Sequence, residues 1–217
     1  MILFLKNYIL KAKNYPSSRA KLTTGHSKLN RGMTYVELIV VLGIFAVVSS
    51  VAIFDYGTFQ HNIDIRVLAN DIAIKVVEAQ KSAINGKWHS DARLGTWKPS
   101  YGVYFNVANN MSFTYYADLD NDDYFCNGSC SGANESIEQF SITKGNYISS
   151  IGVEGSGCPS KVDDLNITFT RPEPIASLLS ATPLNCTITN IQINVSSSDG
   201  SVRSLIRIFP SGRIQIQ

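Results

Sequence analysis

The feature that most constrains this chain is the run from Leu38 to Phe54, LIVVLGIFAVVSSVAIF, seventeen residues without a charge. Met33 to Val36 extend the apolar stretch on the other side of Glu37. As a helix, residues 33–54 span about 33 Å, enough to cross a bilayer core of about 30 Å. The flanks set its direction. Residues 1–32 contain Lys6, Lys11, Lys13, Arg19, Lys21, Lys28 and Arg31 and no Asp or Glu, a charge of +7; with +2 on the whole chain, residues 33–217 carry −5. The positive-inside rule therefore keeps residues 1–32 in the cytoplasm and exports the C-terminal body. A buried core helix is the competing reading, but such helices seldom run this far without a polar face. A cleavable secretory signal needs a small-x-small site after the run, where this chain has AspTyrGlyThrPhe. Because the cations are confined to the leading segment, the chain is no basic, nucleic-acid-coating protein.

Beyond the span the helical pattern continues. Ile65, Leu68, Ile72, Val76, Ala79 and Ala83 recur three or four residues apart, while Asp64, Asp71, Lys75, Glu78 and Lys81 occupy other faces. Residues 55–86 thus read as the amphipathic half of one helix of about 50 residues, stopped by Asn85-Gly86. Past Gly86 the period becomes two. Strands are expected at 101–107, 112–118, 137–143, 147–153, 165–170, 187–195, 202–209 and 213–217, with SerSerSerAspGly and ProSerGly as hairpin turns. The stretches 87–100 and 171–185 read as loops, the latter because of Pro172, Pro174 and Pro183. The fold class is α+β: a long N-terminal helix packed on an antiparallel β-sheet domain, with residues 87–217 as the head.

One residue breaks the apolar rule. An ionised Glu37 inside the hydrophobic segment is expensive and is usually retained because it has a partner. Cleavage between Gly32 and Met33 would create one, since the new α-amino group is a cation that a neighbouring subunit could present to Glu37.

ArgGlyMetThrTyrValGluLeuIleValValLeu, residues 31–42, resembles the class III signal of type IV pilins and type II secretion pseudopilins, with Met33 where Phe is commoner. In that family a basic leader ends in Gly, the new first residue is N-methylated, and the fifth is Glu. The resemblance implies that residues 1–32 are a prepilin leader removed by a prepilin peptidase. It also implies a pilin-like fold and an inner-membrane, single-pass precursor that later joins a pilus or pseudopilus. There it would meet other pilin or pseudopilin subunits through the N-terminal helix, with Glu37 serving assembly. AlaGlnLysSerAlaIleAsnGly at 79–86, TyrTyrAlaAspLeuAspAsnAspAspTyr at 115–124 and IleArgIlePheProSerGlyArgIleGlnIle at 206–216 resemble the GspH/FimT branch. The function implied is structural: a minor pilin or pseudopilin of a filament or its tip. The alternative is a DNA- or surface-binding receptor displayed at that tip, and a third is a tethered exported domain that never polymerises.

Asp118, Asp120 and Asp122 alternate as calcium-loop carboxylates do, although positions six and twelve are Asp123 and Ser129, so the pattern is no EF-hand. Glu135 or Glu138 could complete a looser calcium site; the competing reading is a solvated acidic turn. Four cysteines, Cys126, Cys130, Cys158 and Cys186, lie in the exported part and suit an oxidising compartment. Three pairings are possible; one closes Cys126–Cys130 around a glycine turn and leaves Cys158 with Cys186. Zinc fits less well, because no CxxC pair exists and His26, His61 and His89 are remote in sequence. No GxSxG or HExxH is present, and only His61 and His89 survive cleavage, so no enzyme and no cofactor beyond calcium is expected. Some FimT-like pilins are thought to bind DNA through a Gly-Arg-x-Arg end. Here Gly212-Arg213-Ile214-Gln215 keeps one arginine, with Arg203 and Arg207 on the preceding strand, a DNA contact less favoured than a solubility or intersubunit role.

Overall fold

A computed structural model describes residues 32–89, 98–127, 134–173 and 175–217, without the side chains of residues 52–55. Residues 1–31 of the expected 1–32 leader, and Cys130, lie outside the described residues. The chain forms two compact units, one ending at Val47 and the other spanning Val48–Gln217.

In the first unit, helix α1 (Tyr35–Ile84) begins. Thr34 caps it: its Oγ1 accepts the Glu37 N–H at 3.2 Å and its carbonyl accepts the Leu38 N–H at 3.0 Å. Glu37 thereby occupies the third helical position of a Thr-x-x-Glu start, where a carboxylate complements the positive end of the helix. Every described residue from Gly32 to Val47 is exposed. The helix is long and apolar enough to cross a membrane.

In the second unit, the rest of α1 buries one stripe. Ile65, Leu68, Ala69, Ile72, Val76, Ala79 and Ala83 are each 8% exposed or less. All six positions expected from the periodicity are among them. The stop is a Schellman arrangement. Gly86 takes φ 58°, its N–H bonds the Ala83 carbonyl at 2.9 Å, and the Lys87 N–H reaches the Ser82 carbonyl at 2.9 Å.

Nine strands follow: β1 (Ser100–Asn106), β2 (Ser112–Asp118), β3 (Ser136–Ser141), β4 (Tyr147–Ser156), β5 (Asp164–Phe169), β6 (Ala176–Leu179), β7 (Thr187–Ser196), β8 (Arg203–Ile208) and β9 (Ile214–Ile216). They form two antiparallel sheets, one ordered β3-β2-β1-β5-β6 and one ordered β4-β7-β8-β9. The expectation of one sheet domain is thus met as α+β with two sheets. Every expected strand is present within a few residues. β6 corrects the reading of 171–185 as a loop: four residues between prolines carry too little alternation to be seen, and pairing with β5 makes them a strand.

Alternation decides which side chains enter the core. Ile191, Ile193 and Val195 of β7 and Ile206 and Ile208 of β8 are buried, joining the α1 stripe and the inward residues of the other sheet in one cluster. Tyr101 stacks on Tyr115 at 6.0 Å, and Phe113 lies 5.1 Å from Phe140. The central strands β1 and β5 depart from alternation, and β2 goes furthest, with all seven residues buried. Its inner face meets the core, and its outer face, through Tyr116, is roofed by the segment that follows it.

Cys158 and Cys186 form a disulfide, their Cα atoms 5.0 Å apart and 28 residues apart in sequence. Closing a loop of this length restricts the unfolded chain by about 3.5 kcal/mol. It ties the segment after β4 to the start of β7. Cys126 is also disulfide-bonded.

Candidate functional site

The roof over β2 is the aspartate-rich segment. Asp118 ends the strand fully buried, and the chain folds back over it. Its Oδ1 accepts the N–H groups of Asn121 at 2.6 Å and Asp122 at 3.3 Å, and its Oδ2 accepts that of Asp123 at 3.1 Å. The turn requires left-handed backbone at Asn121 and Asp123, both at φ 64°, which Asn and Asp tolerate better than other side chains.

Glu135 enters from the start of β3, where a register shift between Tyr115 and Tyr116 displaces the partner strand. It is fully buried. Its Oε1 accepts the Leu119 N–H at 2.9 Å and its Oε2 the Cys126 N–H at 2.8 Å, so one carboxylate clamps both ends of the loop. Beneath the loop, Tyr116 and Thr168 share a hydroxyl contact at 2.6 Å, and Thr168 donates to the Asp123 carbonyl at 3.0 Å. The Phe125 N–H is accepted by Asn166 Oδ1 at 2.9 Å.

The ligand oxygens of Asp118, Asp120 and Glu135 lie within 4.8 Å of one another. Of the expected calcium residues the fold therefore brings together Asp118, Asp120 and Glu135. Asp122 stands beside them and accepts the Tyr124 N–H at 2.8 Å. Glu138 goes elsewhere, 3.6 Å from Lys75. Packing carboxylates this closely disfavours their charge. Burial raises Asp118 to about 7, with Glu135 and Asp123 adding repulsion against the opposing amide bonds. Burial likewise raises Glu135 and Asp122. Asp118, Asp120 and Glu135 are the residues that could hold a hard divalent cation, through oxygens not already saturated by amides.

The other expected site residues fall in two places. Gly32 and Met33 precede α1 and are exposed, and Glu37 is exposed in its first turn. Arg203, Arg207 and Arg213 share one face of the β8–β9 hairpin, opposite the buried Ser204, Ile206 and Ile208. Arg213 stacks on Phe209 at 3.9 Å. Arg207 lies across from Gln215 and Gln192, its Nε buried without a hydrogen-bond partner among the described residues. His61 lies 3.9 Å from Asp199.

Sequence reasoning missed Thr34 as the cap, although Thr-x-x-Glu before an apolar run was a visible signal. It also missed Asn166 and Thr168, which carry no local signal because their role depends on β5 pairing beside β1. Comparison with known proteins returns no matching family model, no matching curated protein and no matching solved structure.

Proposed function

We propose that this chain is a structural minor pilin or pseudopilin, cut after Gly32, N-methylated at Met33 by a prepilin peptidase, and assembled into a filament or filament tip. The observation that carries this reading is helix α1. From Val36 to Val48 its large side chains are exposed and apolar, interrupted only by Glu37 in the first turn, while its C-terminal half forms part of a β-domain core. An apolar helix of that kind must be covered by lipid or by like helices. Inside either cover Glu37 needs a cation, and a neighbouring subunit's new α-amino group supplies one.

The test is intact mass and N-terminal sequencing of protein recovered from membranes with and without prepilin peptidase. A product starting at N-methylated Met33 only when the peptidase is present supports the pathway; an uncut chain favours a tethered exported domain. Glu37→Leu is then expected to leave processing and membrane insertion intact and to lower incorporation into filaments by roughly a hundredfold, because the amino terminus loses its counter-charge. Incorporation at the unaltered level would sink the assembly role of Glu37.

The common face of Arg203, Arg207 and Arg213 favours the second reading, a tip receptor for DNA. Its signature would be salt-dependent binding weakened by Arg213→Ala.

A further inference from the structure

β9 ends its sheet, and among the described residues no strand pairs with its outer side. The ladder to β8 uses Arg213 and Gln217: the Phe209 N–H bonds the Arg213 carbonyl at 2.9 Å, and Leu205 and Gln217 exchange two bonds of 2.9 Å. By antiparallel alternation, Ile214 and Ile216 turn their N–H and C=O groups away from β8. That free edge borders a groove of about 1150 Å³ shared with α1. Ala73, Ile74 and Val77 line its helical side, with Ile214 and Ile216 opposite. Ile74 is 60% exposed and Ile216 38% exposed, so the described residues leave this apolar floor uncovered.

Natural sheet edges are usually blunted with charge or proline, and this one carries isoleucine at both outward-facing positions. The charge is placed at its ends instead. Lys81 and Lys87 line one end, and Arg66 lines the adjoining cleft, which reaches Ile216 and Gln217. Among the described residues none of these three has a carboxylate within salt-bridge distance. Among the described residues lining the groove Glu78 is the one acidic side chain, and it is engaged by Lys75 at 2.9 Å. Lys87 is held near the groove by the rings of Tyr115 and Tyr101, 5.7 and 5.9 Å away.

We propose that the β9 edge receives an extended segment of a partner protein as an added strand, apolar at alternate positions and bearing carboxylates at its ends. Main-chain bonds to Ile214 and Ile216 would hold the strand, its apolar residues would fill the groove beside Ile74 and Val77, and its carboxylates would meet Lys81, Lys87 and Arg66. The site lies wholly within the second unit and does not depend on the filament reading.

The test uses the full chain in detergent and a blocked, fluorescent seven-residue peptide with valine at alternate positions, threonine between them and glutamate at each end. A second peptide carries lysine at both ends. Anisotropy should give saturable binding of the glutamate-ended peptide about tenfold tighter than the lysine-ended one, with the preference reversed in Lys81→Glu/Lys87→Glu. Hydrogen exchange should show added protection at the amides of Ile214 and Ile216 only when the peptide is bound. Both substitutions lie on exposed side chains, so the fold is expected to persist, and unchanged far-UV circular dichroism checks it. Equal binding of the two peptides, or protection appearing at the β3 or β6 edge instead, overturns the proposal.

Discussion

Gly102→Ala is expected to lower the thermal midpoint by roughly 6–12 °C, a loss of about 3 kcal/mol, with Gly102→Val losing more. Gly102 sits at the middle of β1, in the centre of the five-stranded sheet, with β2 on one side and β5 on the other. A Cβ built there would stand 2.6 Å from Cζ of Tyr116 and 2.7 Å from the Ile167 carbonyl oxygen. Neither neighbour can retreat cheaply. Tyr116 is fully buried, bonded to Thr168 and packed against Phe125 at 5.4 Å, and the Ile167 carbonyl belongs to a central strand. The glycine is therefore required by close approach and not by a left-handed φ. Circular dichroism melts of the full chain in detergent measure the loss. A Tyr116→Leu background should shrink the added cost of Gly102→Ala, because the shared neighbour makes the two changes non-additive. If the cost is unchanged in that background, the Ile167 carbonyl and not the ring is the obstacle.

Glu135→Ala is expected to cost about 3–4 kcal/mol, because it leaves the buried amides of Leu119 and Cys126 without acceptors at both ends of the loop. Glu135→Gln should lose about half as much, since one amide keeps an oxygen and the other faces an NH₂ group. The same cluster sets a pH dependence. Asp118, Glu135 and Asp122 all have raised pKa values when folded, Asp118 reaching about 7. Between about pH 4 and pH 7 the folded chain thus holds more protons than the unfolded one, so stability is greatest near the acid end of that window and falls as pH rises. Asp64, lowered chiefly by its bond from Lys144, and Asp199, lowered chiefly by the Ser197 hydroxyl, act oppositely. Their contributions are lost only as pH drops below about 4, outside the window. Asp118→Asn should flatten the decline between pH 4 and 7 in denaturation midpoints. A wild-type profile that rises toward pH 7 would contradict the assignment. In millimolar calcium at pH 7, a midpoint raised in the wild type and not in Asp118→Asn would assign the three carboxylates to a cation.

Periodicity is a local property, and what depended on it was legible. The stripe from Ile65 to Ala83 had only to face inward every three or four residues, so its burial followed from spacing alone. The Asn85-Gly86 stop and the paired turns of the C-terminal hairpins followed from backbone preferences of single residues. Candidate carboxylates were visible as a composition, but their partners were not. Glu135 is 17 residues from Asp118 in sequence, and only the displaced β2–β3 register brings them together. Glu138 looked equivalent on paper and points to Lys75 instead, because a side chain three places along a bulged strand emerges differently.

The sequence by itself determined the apolar helix, its charge asymmetry, its amphipathic continuation and the order of strands after it, because each rests on interactions between residues a few positions apart. Only the tertiary structure decided that the strands divide between two sheets, that 176–179 pairs with β5, that Gly102 leaves room for a buried tyrosine, and that β9 offers a bare edge beside α1. Those outcomes depend on contacts between residues far apart in the chain, whose geometry is set by packing and strand pairing and leaves no periodic trace in the sequence.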